Sequence, residues 1–137
     1  MTQEHDIRLA YISTLLDGGY TRLLEGTENP TIGYIVGGVT EPTTMNLHTG
    51  KLKEVSVLTI AEFEEFKELW NKYAMQAPLY TDHDVHRLTG VGTWVHDGKI
   101  YFDLVQHFHG FDEATEQAKQ RGEIAIYDCK NQKEILL

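Results

Sequence analysis

The dipeptide Asp97-Gly98, set between two runs of alternating apolar and polar residues, constrains this chain's fold more than any other pair. A tight two-residue hairpin turn needs positive φ at both central positions, and Asp-Gly meets that demand. The turn then dictates the pairing: Val95 opposite Ile100, Trp94 opposite Tyr101, Thr93 opposite Phe102 and Gly92 opposite Asp103. Side chains alternate across a strand, so one face collects Val91, Thr93, Val95, Ile100, Phe102 and Leu104, a core face. The other collects Trp94, His96, Lys99, Tyr101, Asp103 and His107, with a gap expected at Gly92 beside the Asp103 carboxylate. Aromatic rings mixed with polar tips are unusual for a plain solvated surface. That second face is the first candidate for a ligand.

Around the hairpin the pattern predicts an α+β domain. Residues 4–16 read as a helix with Ile7, Ala10, Tyr11, Thr14 and Leu15 on one side and Gly18-Gly19 as its stop. Residues 20–24 and 31–39 read as strands joined by a turn-rich "EGTENP", and residues 40–53 as a polar, irregular loop. A second helix starts with a Thr59/Glu62 capping box and carries Ile60, Phe63, Phe66, Trp70, Tyr73 and Ala74 at helical spacing. Glu62, Glu65 and Glu68 are expected on its exposed face, and Pro78 is expected to end it before a long loop through residue 90. Beyond the hairpin, Asp112 is the expected N-cap of a helix over residues 113–121 and Gly122 its stop, followed by a strand containing Ile124, Ile126 and Tyr127. Strand, helix and strand in that order suggest a β-α-β crossover. The whole predicts a mixed sheet of about five strands, with helices mainly on one face.

Length and charge bound the function. At 137 residues the chain reads as one globular domain, residues 1–137. A polar, acidic start and the lack of a long apolar run give no sign of a signal peptide or membrane span. The single cysteine, Cys129, cannot form an internal disulfide, which makes a reducing cytoplasm the expected compartment. A formal net charge of −9 disfavours generic binding to nucleic acid or an anionic membrane. It leaves a basic protein partner, imitation of nucleic-acid charge, or a small ligand held by a few placed cations.

The chemical motifs are thin. His83, His86, His107 and His109, with Asp82, Asp84 and Asp103, match no standard metal spacing, so neither a metal nor another cofactor is expected. Neither serine, Ser13 or Ser56, sits in a nucleophile elbow, and no catalytic residue stands out. Asp103 with His96 or His107 is the nearest thing to a proton-transfer pair. The Trp94 and Tyr101 rings are the stronger signal, because any nucleobase offers a π-face to stack on them. Lys99, with Arg22 or Arg121 if folding brings them close, would neutralise phosphates. The competing explanation is that both rings are packed by the N-terminal helix or by another subunit.

Four segments resemble small accessory proteins of phages and mobile bacterial elements: "GGY" at 18–20, "PTIGYIVG" at 30–37, "GTWVHDGKIYFD" at 92–103 and "AKQRGEIAIYD" at 118–128. Together they span most of the chain. Among such proteins, the anti-Thoeris sponges that sequester cyclic nucleotide signals are similar in size and in being compact α+β oligomers. The resemblance implies an anti-defence role in the host cytosol and assigns no residue a role.

Three functions are therefore expected to compete. The first is a non-catalytic binder of a nucleotide-derived small molecule, using Trp94, His96, Lys99, Tyr101, Asp103, His107, Arg22 and Arg121. The second is an acidic inhibitor of a host protein that presents Glu62, Glu64, Glu65 and Glu68. The third is a small hydrolase built on His83, His86, His107 and Asp103. A homo-oligomer is expected in addition, because Trp70, Trp94, Tyr101, Phe108 and Phe111 exceed what one small core hides.

Overall fold

The computed structural model describes residues 4–47, 60–81 and 88–137 of the chain. Among these described residues three helices and a seven-stranded sheet make an α+β fold, in the order α1 (Glu4–Asp17), β1 (Gly19–Leu23), β2 (Tyr34–Val36), β3 (Thr43–Asn46), α2 (Ile60–Tyr80), β4 (Thr89–His96), β5 (Lys99–Phe108), α3 (Phe111–Gln120), β6 (Ala125–Asp128) and β7 (Lys133–Leu136). The β4–β5 hairpin pairs in the expected register, from His96 with Lys99 through Trp94 with Tyr101 to Thr89 with Gln106. Its turn residues take positive φ, 49° at Asp97 and 73° at Gly98.

The sheet runs β1-β4-β5-β2-β6-β7, with β3 also on β5, and every direct pair is antiparallel. The strand, helix and strand of the hairpin's second half were expected to give a parallel pair, and they do not. β5 and β6 both run antiparallel to β2, which lies between them, so they run parallel to each other two places apart. Two strands exceed the expectation. β3 lies within the segment read as loop, and β7 returns on β6 through a turn held by Asp128, whose carboxylate accepts from the Lys130 and Asn131 N–H groups at 3.1 and 3.3 Å.

One side of the sheet carries the main core. Ile100, Phe102 and Leu104 of β5 pack with Ile7, Tyr11 and Leu15 of α1 and Phe66, Trp70 and Tyr73 of α2. Phe108, of the same parity on β5, packs with Ala114 and Ala118 of α3. Val91, Phe66 and Trp70 are buried as expected, while Val95 and Phe63 are only partly so. Thr93, on this face, satisfies its hydroxyl against Thr14 at 2.6 Å.

Three local expectations need correction. Glu62 is fully buried, since residues 62, 66, 70 and 73 form one stripe and the stripe faces the core; Glu65 and Glu68 are exposed. Thr59, its proposed capping partner, lies outside the described residues. Pro78 does not stop α2, which continues to Tyr80. The ring forfeits one backbone bond near the end of the helix, and side chains take up carbonyls there: Thr81 Oγ1 donates to Ala77 O at 3.2 Å, and Thr89 Oγ1 and Gln106 Nε2 donate to Tyr80 O at 3.0 Å each. The N-cap of α3 is Gly110, placing Asp112 inside the first turn. Gly122 ends α3 as expected, with φ 74° and paired bonds from Gly122 N to Lys119 O and from Glu123 N to Ala118 O.

Phe102 sits at the centre of this core, 5.0 Å from the Phe66 ring and 6.4 Å from Tyr73. Phe102→Ala should cost about 3–5 kcal/mol in urea unfolding. A cost below about 1 kcal/mol would show that another register is occupied.

Candidate functional site

Strand parity places Trp94, His96, Lys99, Tyr101, Asp103 and His107 on the side of the sheet away from the helices. They do not form one pocket. The hairpin end is open: Trp94 is 38 % exposed, Tyr101 is half-buried, and His96 and Lys99 are exposed. Towards the middle the same side is dry, with Asp103 3 % exposed and Ile35, Val105 and Cys129 packed together. The gap expected at Gly92 is filled, because Val105 Cγ1 lies 2.8 Å from where a Gly92 Cβ would stand. His107 lies further along β5, where its Nε2–H donates to Ile32 O at 2.7 Å.

At the open end the two rings stack on each other, with centroids 5.1 Å apart and planes 8° apart. The N-terminal helix therefore does not cover them. β3 extends the row across the sheet: Thr44 stands opposite Tyr101, and Asn46 opposite Lys99, which is itself opposite His96. Both Thr44 and Asn46 are exposed. Neither was expected at the site, because residues 40–53 read as loop; the alternation in Thr-Thr-Met-Asn, with Met45 buried, was the available signal. Among the described residues the chemistry on offer is a flat aromatic wall beside the Lys99 ammonium, the His96 imidazole with the Asp97 carboxylate 3.2 Å from it, and uncharged hydrogen-bonding groups.

The two arginines do not join this wall. Arg22 opposes Val91, on the helix side, and pairs with Glu28 at 3.0 Å and Asp6 at 3.7 Å. Arg121 donates to Gln106 Oε1 and to Gly37 O, the latter at 3.2 Å. His83 and His86 lie outside the described residues. Among the described residues no three His, Cys, Asp or Glu side chains are grouped to hold a metal ion. His107 and His109 contact edge-on at 5.0 Å.

Asp103 serves the fold at a break in the sheet. β2 pairs with β5 at residues 106–108 and β3 pairs at residues 99–102, leaving residues 103–105 between the two ladders. There the Gly38 N–H donates to Asp103 Oδ2 at 2.9 Å, while Asp103 Oδ1 is buried without a hydrogen-bond partner. The chain approaches this closely because residues 37 and 38 are glycines. A Cβ on Gly37 would collide with Asp103 Oδ2 and stand 3.0 Å from Glu123 Oε1, and Gly38 has φ 74°. Burial pushes the Asp103 carboxyl up to about 7; the neighbouring Glu123 adds to the rise, while the Gly38 and Leu104 N–H groups and Arg121 oppose it. Burial likewise raises the Cys129 thiol to about 11, which keeps it protonated and unreactive at neutral pH.

Among the described residues no helix is long and apolar enough to cross a membrane. Comparison with protein-family models, curated proteins and solved structures finds no match to this chain.

Asp103 makes stability depend on pH. Its folded-state value, about 7, lies above the ordinary 3.8, so the folded chain holds a proton that the unfolded chain has lost. The stability from that proton is complete below about 3.8, falls as pH rises towards 7 and is absent above it. The gap corresponds to roughly 4 kcal/mol at most. Asp103→Asn should therefore gain stability over the parent as pH rises from 4.5 to 8. Urea midpoints of parent and variant that run parallel over this range would show that Asp103 ionises normally.

Proposed function

We propose that this protein is a non-catalytic binder of a nucleotide-derived small molecule, which it holds at the Trp94–Tyr101 wall. The observation that carries this function is the stacked pair of rings, Trp94 exposed and Tyr101 half-buried, on the side of the sheet opposite the core packed by α1 and α2. A core pair would be enclosed; this one keeps more than a third of Trp94 open beside Lys99 and His96. Lys99 and His96 supply the polar end, with Thr44 and Asn46 as further hydrogen-bonding groups. Asp103, His107, Arg22 and Arg121 stand outside this ligand set, each committed to partners elsewhere in the fold.

In the cell the role would be sequestration of a nucleotide signal by a phage-type anti-defence protein in the host cytosol, as the sequence resemblance implies. Self-association belongs to the same proposal. Trp70 and Phe108 are core residues and give it no support, but Leu9, Ile12 and Leu16 form an exposed apolar stripe along α1. The acidic-inhibitor alternative is weakened by the burial of Glu62, which breaks its row of four carboxylates. The hydrolase alternative loses its Asp103–His107 pair, since His107 bonds Ile32 and Asp103 bonds Gly38, and the His96–Asp97 contact lies fully open at the hairpin turn.

The test is incubation of the purified protein with a panel of nucleotides and cyclic nucleotides, followed by mass spectrometry of what is retained and then released. A ligand released unaltered is expected, and Trp94→Ala should weaken its binding about 5- to 150-fold while unfolding stays cooperative. Release of an altered ligand would make the protein an enzyme. Retention of nothing, with Trp94→Ala dissociating subunits, would make the wall a packing surface.

A further inference from the structure

His107 lies near the end of β5 and His109 just past it, and their two rings meet. The six residues of strand from Tyr101 to His107 span roughly 20 Å, so this pair is no part of the aromatic wall. Spacing alone gives no metal expectation for these histidines. The fold adds a fixed tautomer and a ring separation, which spacing does not contain.

The tautomer follows from one hydrogen bond. The carbonyl Ile32 O can only accept, so at the 2.7 Å contact His107 Nε2 carries the proton. In the neutral ring the lone pair then sits on Nδ1. A metal-ligating histidine almost always donates its other ring N–H to a carbonyl, a carboxylate or water, which fixes the ring and raises its basicity. Gly33 makes room for this seat, since a Cβ there would lie 2.6 Å from His107 Nε2.

The separation of the rings fits a shared ion. Two imidazole nitrogens at about 2.0–2.1 Å from one ion, at roughly 90–110° to each other, put the ring centres roughly 4.5–5.3 Å apart. The observed 5.0 Å lies within that range. The planes stand at 89°, and His109 is exposed and makes no hydrogen bond among the described residues. Its ring can therefore turn to present a nitrogen without moving the strand. Imidazole suits Cu²⁺ and Zn²⁺, whereas Mg²⁺ and Ca²⁺ take oxygen. Among the described residues no third His, Cys, Asp or Glu joins the group, so the remaining coordination positions are left to water.

We propose that His107 and His109 bind one divalent transition-metal ion, Cu²⁺ in preference to Zn²⁺, through His107 Nδ1 and a ring nitrogen of His109. Ile32 O orients the first ligand from behind. The site is independent of the nucleotide-binding function proposed above.

Calorimetric titration of the tag-free protein with Cu²⁺, Zn²⁺ and Mg²⁺ reads the affinity, and NMR with trace Cu²⁺ reads the place. One equivalent of Cu²⁺ should bind in the micromolar range, more tightly than Zn²⁺, and Mg²⁺ should not bind. Paramagnetic broadening should begin at the amide signals of residues 107–110 and of Gly33, which lies against the His107 ring. His109→Ala, at an exposed position, should keep the parent's urea midpoint. It should weaken Cu²⁺ binding at least about ten-fold, the lower end of what losing even a residue behind the ligands costs. Unchanged Cu²⁺ affinity in His109→Ala overturns the site, as does broadening that begins at His96 or at His83 and His86. Binding only at millimolar Cu²⁺, or Mg²⁺ binding as tightly as Zn²⁺, overturns it too and leaves the two rings as a contact within the sheet.

Discussion

The register of the β4–β5 hairpin is the constraint on which the rest of the structure depends. Two residues at positive φ hold it, and a slip by one residue would exchange Phe102 for Tyr101 on the core side. With Ile100, Phe102 and Leu104 committed to the helices, Trp94 and Tyr101 have no choice but the opposite side. The packing of α1 and α2 on β4 and β5 and the stack of the two open rings are thus consequences of one turn.

That opposite side is not uniform, and the difference arises at the break between β2 and β3. Where the two ladders on β5 leave residues 103–105 between them, two glycines let the connecting chain fold close over the strand. Asp103 bonds Gly38 there and becomes a carboxyl with a raised affinity for its proton. Ile35, Val105 and Cys129 close over the neighbouring surface. The hairpin end stays open, with Trp94 and Tyr101 beside the row of His96, Lys99 and Asn46.

Much of this was legible in the sequence because it was local. Asp-Gly encodes a turn, Gly18 and Gly122 encode helix stops, and the stripe of Phe66, Trp70 and Tyr73 encodes a buried helix face. The elements that escaped depend on partners distant in sequence. β3 is four residues long and reads as loop until β5 is there to pair with it. Pro78 falls in the last turn of α2, whose end carbonyls at Ala77 and Tyr80 are met by Thr81, Thr89 and Gln106, two of them distant in sequence. Glu62 reads as solvated on a helix of many glutamates, yet its stripe position carries it inside. For the site, the residues sharing a face followed from parity, while their separation into an open wall and a dry centre required the break in the sheet. Arg22 was a phosphate candidate only if folding brought it close, and its pairing opposite Val91, distant in sequence, turns it to the helix side instead.

The open wall can be checked by acrylamide quenching of the two tryptophans. Trp70 is 1 % exposed in the core and Trp94 is 38 % exposed on the wall, so emission should divide into a shielded and an accessible population. In a Trp94→Phe variant the accessible population should vanish, and only the shielded emission of Trp70 should remain. If the parent protein instead shows both tryptophans equally shielded, something covers the wall, and it is not an open ligand site.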